Sequence, residues 1–239
     1  HNLQSAYLRL LGLATGNSPA QLLAALATAI RPTGDLVELQ IARAVADLAH
    51  SAQAVSEVAS FLAAGDYAAW ETQLAEGPFK AGVRKLLAAH GHRCAGEGEL
   101  RNPRWSENPA PLLAAVAAAA HTNAALPPPA GPDEGAFLSL VDAKRRKEAQ
   151  PLLLQVRQCL ALQSKALNVH AYTLAGTRVW ALAAGREAMG DQRLLAESDV
   201  FFYELEEMKQ MMTGEWNISD MDNIRATASQ RKQDYEAWQ

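Results

Sequence analysis

A polar segment of twenty residues, 90–109, interrupts a chain that is otherwise rich in alanine and leucine. It contains three arginines, two histidines and a tryptophan, with glycines at 91, 96 and 98 and prolines at 103 and 109. A regular helix cannot pass through such a stretch, because glycine loses much backbone entropy on folding and proline lacks the backbone donor. The polar segment is therefore predicted to form a loop between helices.

Before the polar segment, apolar residues recur at helical spacing and are separated by stop signals. The apolar face of the first predicted helix covers residues 3–14, and Gly16 ends that helix. Ser18, followed by proline and three residues later by glutamine, predicts the start of a second helix. Asp35 is the expected cap of a third helix. Further breaks at 65–66 and 77–78 complete a predicted series of short helices.

After the polar segment, residues 109–121 predict a helix whose alanines allow a neighbouring helix to approach closely. Residues 123–134 include three consecutive prolines and predict a stiff linker. Residues 137–190 contain no glycine before position 176 and only Pro151 as a breaker. We therefore expect two long helices there, or one kinked pair.

No stretch combines period-two alternation with hairpin turns, and residues 200–203 are the single short strand candidate. A final helix would be capped by Ser219 or Asp220. The predicted fold is all-α, with short N-terminal helices and two or more long C-terminal helices. We expect a helical half (1–122), the linker (123–134) and a long-helix half (135–239), packed as one domain. Because the chain begins with histidine, we also expect it to be part of a longer chain.

Charge and composition exclude several classes of protein. The net charge is −4, from 22 basic and 26 acidic residues, and no basic stripe exists outside 144–147. That distribution argues against a nucleic-acid binder. Cys94 and Cys159 fit neither a disulfide framework nor a zinc ribbon. No apolar run approaches the roughly 20 residues that a membrane span needs. We expect a cytoplasmic protein that binds neither nucleic acid nor membrane.

The polar segment offers two main interpretations. Arg93 or Arg104 can hold a carboxylate through paired hydrogen bonds, and Glu97 and Glu99 are near enough in sequence to be the partners. Such ion pairs can simply brace an irregular loop across helix ends. Alternatively, His92, Arg93 and Glu97 face a cavity and orient a hydroxylated or phosphorylated ligand.

Metal binding and covalent catalysis are weaker hypotheses. His90, His92, Cys94 and Glu97 supply suitable ligand atoms, but their spacing matches no recognised zinc pattern and nothing elsewhere offers a second pair. The sequence has no glycine-flanked serine nucleophile and no glycine-rich phosphate loop. We therefore assign this chain no catalytic residue, no metal site and no nucleotide site.

A second candidate surface lies in the long-helix region. Lys165, Asn168 and Tyr172 are spaced three and four apart and share one helical face, and Arg178 follows within two turns. On an exposed helix these residues would form a solvated stripe. In a groove they would form a ligand surface with hydrogen-bond donors and an aromatic wall.

Within the polar segment, a Gly-His-Arg sequence is followed by glycine-spaced glutamates, then by Asn-Pro-Arg-Trp and a proline that opens the next helix. This order resembles the helical middle region of rifampicin phosphotransferase and of related enzymes of the phosphoenolpyruvate synthase type. The matching residues are Gly91, His92, Arg93, Gly96, Glu97, Glu99, Leu100, Asn102, Pro103, Arg104, Trp105 and Pro109. A weaker resemblance covers residues 199–208. Cys94 departs from the pattern, since the family usually has glycine there.

The resemblance implies a substrate-binding helical domain of an ATP-dependent phosphotransferase, a kinase in the broad sense. Such a region lies between an ATP-binding domain and a small swivelling domain that carries the phosphoryl group on a histidine. ATP and Mg²⁺ are therefore implied for the parent enzyme and no cofactor for this chain, which would bind a small-molecule acceptor without turning it over alone. The expected acceptor-binding residues are His92, Arg93, Glu97, Glu99, Arg104, Lys165, Tyr172 and Arg178.

Two other functions stay open. The chain could be a free-standing helical protein-interaction domain with no catalytic role, in which the proline-rich linker meets a partner and the polar segment is a scaffold. It could also be a stand-alone enzyme that uses the histidines and glutamates as acid and base.

Overall fold

The computed structural model describes residues 2–14, 16–31, 36–122, 131–213 and 221–238. These residues form α-helices and one 3₁₀ helix, with no strand among them, which confirms the all-α prediction. The elements are α1 (Asn2–Leu13), α2 (Pro19–Ala29), α3 (Val37–Gln53), α4 (Ser56–Ala64), α5 (Trp70–Gln73), α6 (Pro78–His90), α7 (Ala110–Thr122), α8 (Glu134–Ser139), α9 (Arg146–Gly190), η1 (Glu197–Phe202), α10 (Leu205–Thr213) and α11 (Met221–Ala237).

The predicted start and stop signals act where the sequence places them. The Ser18 hydroxyl accepts the Gln21 N–H at 3.3 Å, and Pro19 is the first residue of α2. Gly16 and Gly65 follow α1 and α4 with φ of +93° and +75°, a conformation that glycine adopts without steric cost. Helices α1 and α4 thus end at glycines in a left-handed conformation.

The C-terminal half contains one long helix where the sequence suggested two. Helix α9 runs unbroken for 45 residues, and Pro151 lies inside it at the sixth position. At this position the proline lacks the N–H that would bond to the carbonyl four residues earlier, so one backbone hydrogen bond is missing while the helix continues through it. The only other helix over 137–190 is the end of the six-residue α8. The strand candidate 200–203 is also wrong, since most of it belongs to the 3₁₀ helix η1.

Helix α3 begins in a way that the sequence did not indicate. The Ser164 hydroxyl of α9 accepts the Val37 N–H at 2.9 Å and donates to the Glu38 carboxylate at 2.6 Å. A residue 127 positions away in sequence therefore satisfies the first turn of α3. The expected caps Asp35, Ser219 and Asp220, and residues 123–130 of the linker, lie outside the described residues.

The chain divides into two compact units. Unit 1 comprises residues 1–90 and 109–170, and unit 2 comprises residues 91–108 and 171–239. In unit 1, α1, α2, α8 and the first part of α9 bury a shared apolar cluster that includes Leu10, Leu26, Phe137 and Leu153, all fully inaccessible. Helix α3 packs against α6 and α7 in the same unit.

Unit 2 has its own apolar core. Small residues on α9, at 181, 184 and 188, pack against η1, α10 and α11. A Cβ built on Gly185 would lie 2.3 Å from the carbonyl oxygen of Glu197, so only glycine permits this approach of η1 to α9. Close helix packing through small residues therefore also occurs on α9, in addition to the predicted alanine-rich helix α7, which packs against α3 and α4.

The Glu207–Arg231 pair and Tyr203, all in unit 2, have pKa values that are shifted by its packing. The Glu207 carboxylate accepts hydrogen bonds from Arg231 at 2.6 and 2.9 Å, and this pairing lowers the pKa of Glu207 and raises that of Arg231. Burial raises the pKa of Tyr203 to about 12, and its hydroxyl donates to the Ile224 carbonyl. The Glu207–Arg231 pair joins α10 to α11, and the Tyr203 hydroxyl joins the residue after η1 to α11.

Within the described part of the chain, no helix has the combination of length and apolar character that crossing a membrane requires.

Candidate functional site

Residues 91–108 of the polar segment belong to unit 2 and form a closed, irregular loop. The Trp105 N–H donates to the Arg93 carbonyl at 2.8 Å, and the Ser106 N–H donates to the Gly91 carbonyl at 2.9 Å. These two bonds join the start of the segment to its end. The segment contains no helix or strand, as predicted.

Arg178 of α9 fastens this segment from one side. Its guanidinium donates to the Glu107 carboxylate at 2.8 to 3.0 Å and to the carbonyls of Leu100 and Arg101 at 2.6 and 3.0 Å. The Arg178 side chain is only 8% exposed, and the Phe201 ring lies 5.0 Å from it. Because the planar guanidinium presents five donors in a fixed fork, one side chain can hold three points of the loop at once.

Two further pairs hold the glutamates of the segment. Arg93 forms an ion pair with the Glu97 carboxylate, one of the two partners expected from the sequence. The Glu99 carboxylate accepts the Arg101 N–H at 2.9 Å. The acidic groups of the segment therefore bond to the segment itself or to α9.

Arg104 is the most deeply buried charged side chain of the segment, at 2% exposure. Its Nη1 contacts the Cys94 sulfur and lies 3.3 Å from the Glu97 carbonyl. Its Nε and Nη2 atoms have no hydrogen-bond partner among the described residues.

The remaining predicted acceptor-binding residues are distributed between the two units. His92 and Tyr172 lie in unit 2 with ring centroids 4.1 Å apart, and Tyr172 is 59% exposed. Lys165 is exposed on α9 and belongs to unit 1. Seven of the eight predicted residues thus belong to unit 2, and Lys165 belongs to unit 1. Their role in binding an acceptor stays a prediction.

Arg101 and Glu107 were not singled out from the sequence, yet both hold the segment in place. The Arg101 guanidinium lies 4.1 Å from the Tyr235 ring centroid and 5.6 Å from that of Phe202. Such contacts of a cation with aromatic rings are favourable but involve residues more than 100 positions apart. The aromatic run at 201–203 was visible in the sequence, whereas its contact with Arg101 was not.

The described residues include no cluster of three or more His, Cys, Asp or Glu side chains placed to hold a metal ion. His90, His92, Cys94 and Glu97, the metal hypothesis from the sequence, are thus not brought together as ligands.

Unit 1 contains a large apolar cavity between α3, α4 and α7. Its volume is about 660 Å³, within the range typical of small-molecule sites. Gln53 provides a polar edge, with its Nε2 donating to the Ala120 carbonyl at 2.7 Å. The lining residues are Ala52, Gln53, Ala59, Leu62, Ala63, Ala117, Ala118, Ala120 and His121.

The lining explains why space is left here. Alanine contributes the smallest apolar side chain, so helices that present alanine from three sides leave a gap that larger residues would fill. The alanine run at 114–120 was noted in the sequence as a means of close helix packing. A second, smaller cavity of about 450 Å³ is lined by Leu3, Gln4, Tyr7, Ile30, Val156 and Leu160.

A family model described as the rifampicin phosphotransferase fourth domain matches residues 3–187. The chain belongs to this family. The matched range includes both the polar segment and the alanine-lined cavity, and it ends within α9, before η1, α10 and α11. Membership in the rifampicin phosphotransferase fourth-domain family confirms the resemblance carried by the polar segment. The weaker resemblance at 199–208 lies beyond the matched range. A search of curated proteins found no match.

Proposed function

We propose that this chain is the acceptor-binding domain of an ATP-dependent phosphotransferase and that the alanine-lined cavity of unit 1 receives the acceptor. The observation that carries the proposal is the cavity itself, an apolar space of about 660 Å³ with a glutamine and a histidine among its lining residues. Sites of this volume, mostly apolar with few polar groups, are typical of small-molecule binding. His121 and Gln53 would orient a hydroxyl or carbonyl group of the acceptor.

Under this proposal the chemistry takes place with other domains of the parent enzyme. An ATP-binding domain would hold ATP and Mg²⁺, and a swivelling domain would carry the phosphoryl group on a histidine to the bound acceptor. This chain alone would then bind the acceptor without turnover. The bonds within the polar segment favour a structural role for Arg93, Glu97, Glu99 and Arg178 over direct contact with an acceptor.

Thermal unfolding with a panel of hydrophobic, hydroxylated small molecules tests the proposal. A ligand present at 100 times its dissociation constant stabilises a protein by about 2.7 kcal/mol. For a chain of this size that corresponds to a rise in Tm of roughly 5 to 10 °C. Failure of every molecule in the panel to raise the Tm would count against acceptor binding.

A pair of substitutions on α7 locates the site. Ala117→Phe fills the cavity and should abolish the ligand-induced rise in Tm. Ala114→Phe places the same side chain on an exposed position of the same helix, outside the cavity lining, and should leave the rise intact. Equal effects of the two substitutions would contradict the assignment of the cavity.

The alternative function, a helical protein-interaction domain, is favoured by one observation in unit 1. Leu162 and Val169 of α9 are 68% and 65% exposed, and their spacing of seven places them on one helical face. Leu162→Glu should abolish the binding of a partner that covers this face. Sedimentation that shows monomers at all concentrations, together with a ligand-induced Tm rise, would favour the acceptor-binding function instead.

A further inference from the structure

The second cavity of unit 1, about 450 Å³ in volume, lies at the edge of the apolar cluster that α1, α2, α8 and α9 share. Leu3 and Tyr7 of α1 are four positions apart and therefore lie on one helical face, and the same holds for Val156 and Leu160 of α9. Ile30, the residue directly after α2, completes the apolar part of the lining. Three helices thus border this space.

Burial changes across the lining. Val156 is fully inaccessible and belongs to the core cluster. Leu3, Tyr7 and Leu160 are half-buried and pack against that cluster, whereas Gln4 is exposed. The cavity therefore has an apolar interior and an amide at its solvent-exposed edge.

The lining offers hydrogen bonds but no charge. Its described residues include no Asp, Glu, Lys, Arg or His. The Tyr7 hydroxyl can both donate and accept, and it has no hydrogen-bond partner among the described residues. Tyrosine hydroxyls next to apolar surface usually find a partner. A ligand that supplies one would gain a hydrogen bond in addition to its apolar contacts.

We propose that this cavity is a second ligand site of unit 1, for a neutral and largely apolar molecule that presents one carbonyl or hydroxyl group to Tyr7. Its volume lies within the range of small-molecule sites. Water next to apolar walls makes few hydrogen bonds, so its displacement by an apolar ring or chain is favourable. An anion would lose its hydration without gaining a cationic partner in the described lining, so a carboxylate should bind poorly.

This site is separate from the alanine-lined cavity. The two linings share no residue among those described, and they come from different helices. One is bordered by α3, α4 and α7, and the other by α1, α9 and the end of α2. A molecule bound at the second site is therefore distinct from the proposed acceptor, and each site can be tested without the other.

Acetophenone and benzoate test the site as a matched pair, because both carry a carbonyl group on a benzene ring and only benzoate is charged at neutral pH. Each is titrated into the full 239-residue chain, labelled with carbon-13 at its leucine, valine and isoleucine methyl groups, and methyl spectra are recorded by NMR. Benzoate should bind at least about tenfold more weakly than acetophenone. Acetophenone should cause saturable shifts of the methyl signals of Leu3, Ile30, Val156 and Leu160.

Three results would overturn the proposal. The first is the absence of saturable shifts at these methyl groups, and the second is equal affinity for benzoate. The third is a set of nuclear Overhauser effects, in the ligand-free protein, from the lining methyl groups to a segment outside α1, α2, α8 and α9. Such effects would mean that the chain itself fills the cavity.

Substitutions on α1 sharpen the test. Tyr7→Phe removes only the hydroxyl and should weaken acetophenone binding about fivefold, the effect of one neutral hydrogen bond. Leu3→Trp fills the space and should abolish the saturable shifts. Leu8→Trp places the same side chain at a position of α1 that is 64% exposed and outside the lining, so the shifts should remain.

Circular dichroism establishes whether each variant is folded. If Leu3→Trp unfolds the chain, Tyr7→Phe still decides, since unchanged affinity in that variant would exclude the hydroxyl as the ligand contact. Ala117→Phe, which fills the alanine-lined cavity, should leave the shifts at the second site unchanged. Shifts confined to Leu62, in the lining of the alanine-lined cavity, would assign acetophenone to that cavity and overturn the second site.

Discussion

The polar segment of unit 2 and the alanine-lined cavity of unit 1 differ in how they use side chains. In the polar segment, the charged groups bond to one another, to backbone carbonyls and to α9, as Arg178 does with Glu107, Leu100 and Arg101. In the cavity, small apolar side chains leave about 660 Å³ unfilled. Dense charge in the sequence thus accompanies a network of ion pairs and hydrogen bonds, while an alanine-rich run accompanies unfilled space.

The largest expected effect on stability concerns the polar segment. Arg178→Ala should lower the free energy of unfolding by about 3 to 5 kcal/mol, because it leaves Glu107 and two backbone carbonyls without their donor. Urea-induced unfolding followed by circular dichroism measures the loss. Arg178→Lys keeps the charge but loses the fork of donors, so its loss should be intermediate. A loss below about 1 kcal/mol for the Ala variant would show that Arg178 does not fasten the segment.

Gly185→Ala tests the close approach of η1 to α9 within unit 2. The new Cβ would lie 2.3 Å from the Glu197 carbonyl oxygen, and overpacking of this kind costs about 1 to 3 kcal/mol. Gly176→Ala is the matched control on the same helix, since nothing lies within 4 Å of its Cβ position. The control should stabilise the protein by up to about 1 kcal/mol, because alanine favours a helix more than glycine. Equal stability of the two variants would contradict the close approach.

Arg93→Ala distinguishes a structural role of Arg93 from direct contact of Arg93 with a ligand. The Arg93 side chain is 12% exposed and that of Glu97 is 27% exposed, so the ion pair is partly screened and its loss should cost about 1 to 2 kcal/mol. Affinity for a cavity ligand, measured by calorimetry on the folded variant, should be unchanged. An unchanged stability with weakened affinity would restore the interpretation of Arg93 as an acceptor-binding residue.

Alkaline pH should destabilise unit 2 through Tyr203. Tyr203 has a folded pKa of about 12 against about 10 in an unfolded chain, so the folded state favours the neutral phenol. Its contribution to stability is fully present below about pH 10 and is lost as the pH rises toward about 12. Tyr203→Phe should remove this part of the decline in Tm across that range. An identical decline in the Phe variant would assign the alkaline loss to other groups.

Acid should destabilise unit 2 through the Glu207–Arg231 pair. The pKa of Glu207 is lowered by its hydrogen bonds from Arg231, so its contribution to stability is present above the unfolded pKa and is lost as the pH falls through the lowered value. Glu207→Gln should flatten the acid side of the Tm profile. An acid decline as steep as that of the unsubstituted chain would exclude this pair as its source.

The smallest expected effect concerns Lys165, the one predicted acceptor-binding residue that belongs to unit 1. Lys165→Ala should change the free energy of unfolding by less than about 0.5 kcal/mol, because the side chain is exposed. The same variant should bind cavity ligands as the unsubstituted chain does. A clear fall in affinity would support the ligand surface that the spacing of Lys165 and Tyr172 suggested.

Local signals in the sequence determined much of the secondary structure. Helix α2 begins at Ser18 and Pro19 and α6 at Pro78, because capping and the missing proline donor act over a few residues. The number of helices over 137–190 was wrong because Pro151 was weighed as a break, whereas α9 continues through it. The family, too, was readable from a single irregular segment.

The sequence by itself determined that this protein is helical, where most short helices begin and end, and to which family it belongs. Only the tertiary structure decided what the polar residues do. Arg104 and Cys94 are ten positions apart, Arg178 and Glu107 are 71 positions apart, and Ser164 and Val37 are 127 positions apart. Helical periodicity describes one helix at a time, whereas burial and pairing depend on which helices meet. The alanine-lined cavity likewise arises from three helices together, so no single stretch of sequence contains it.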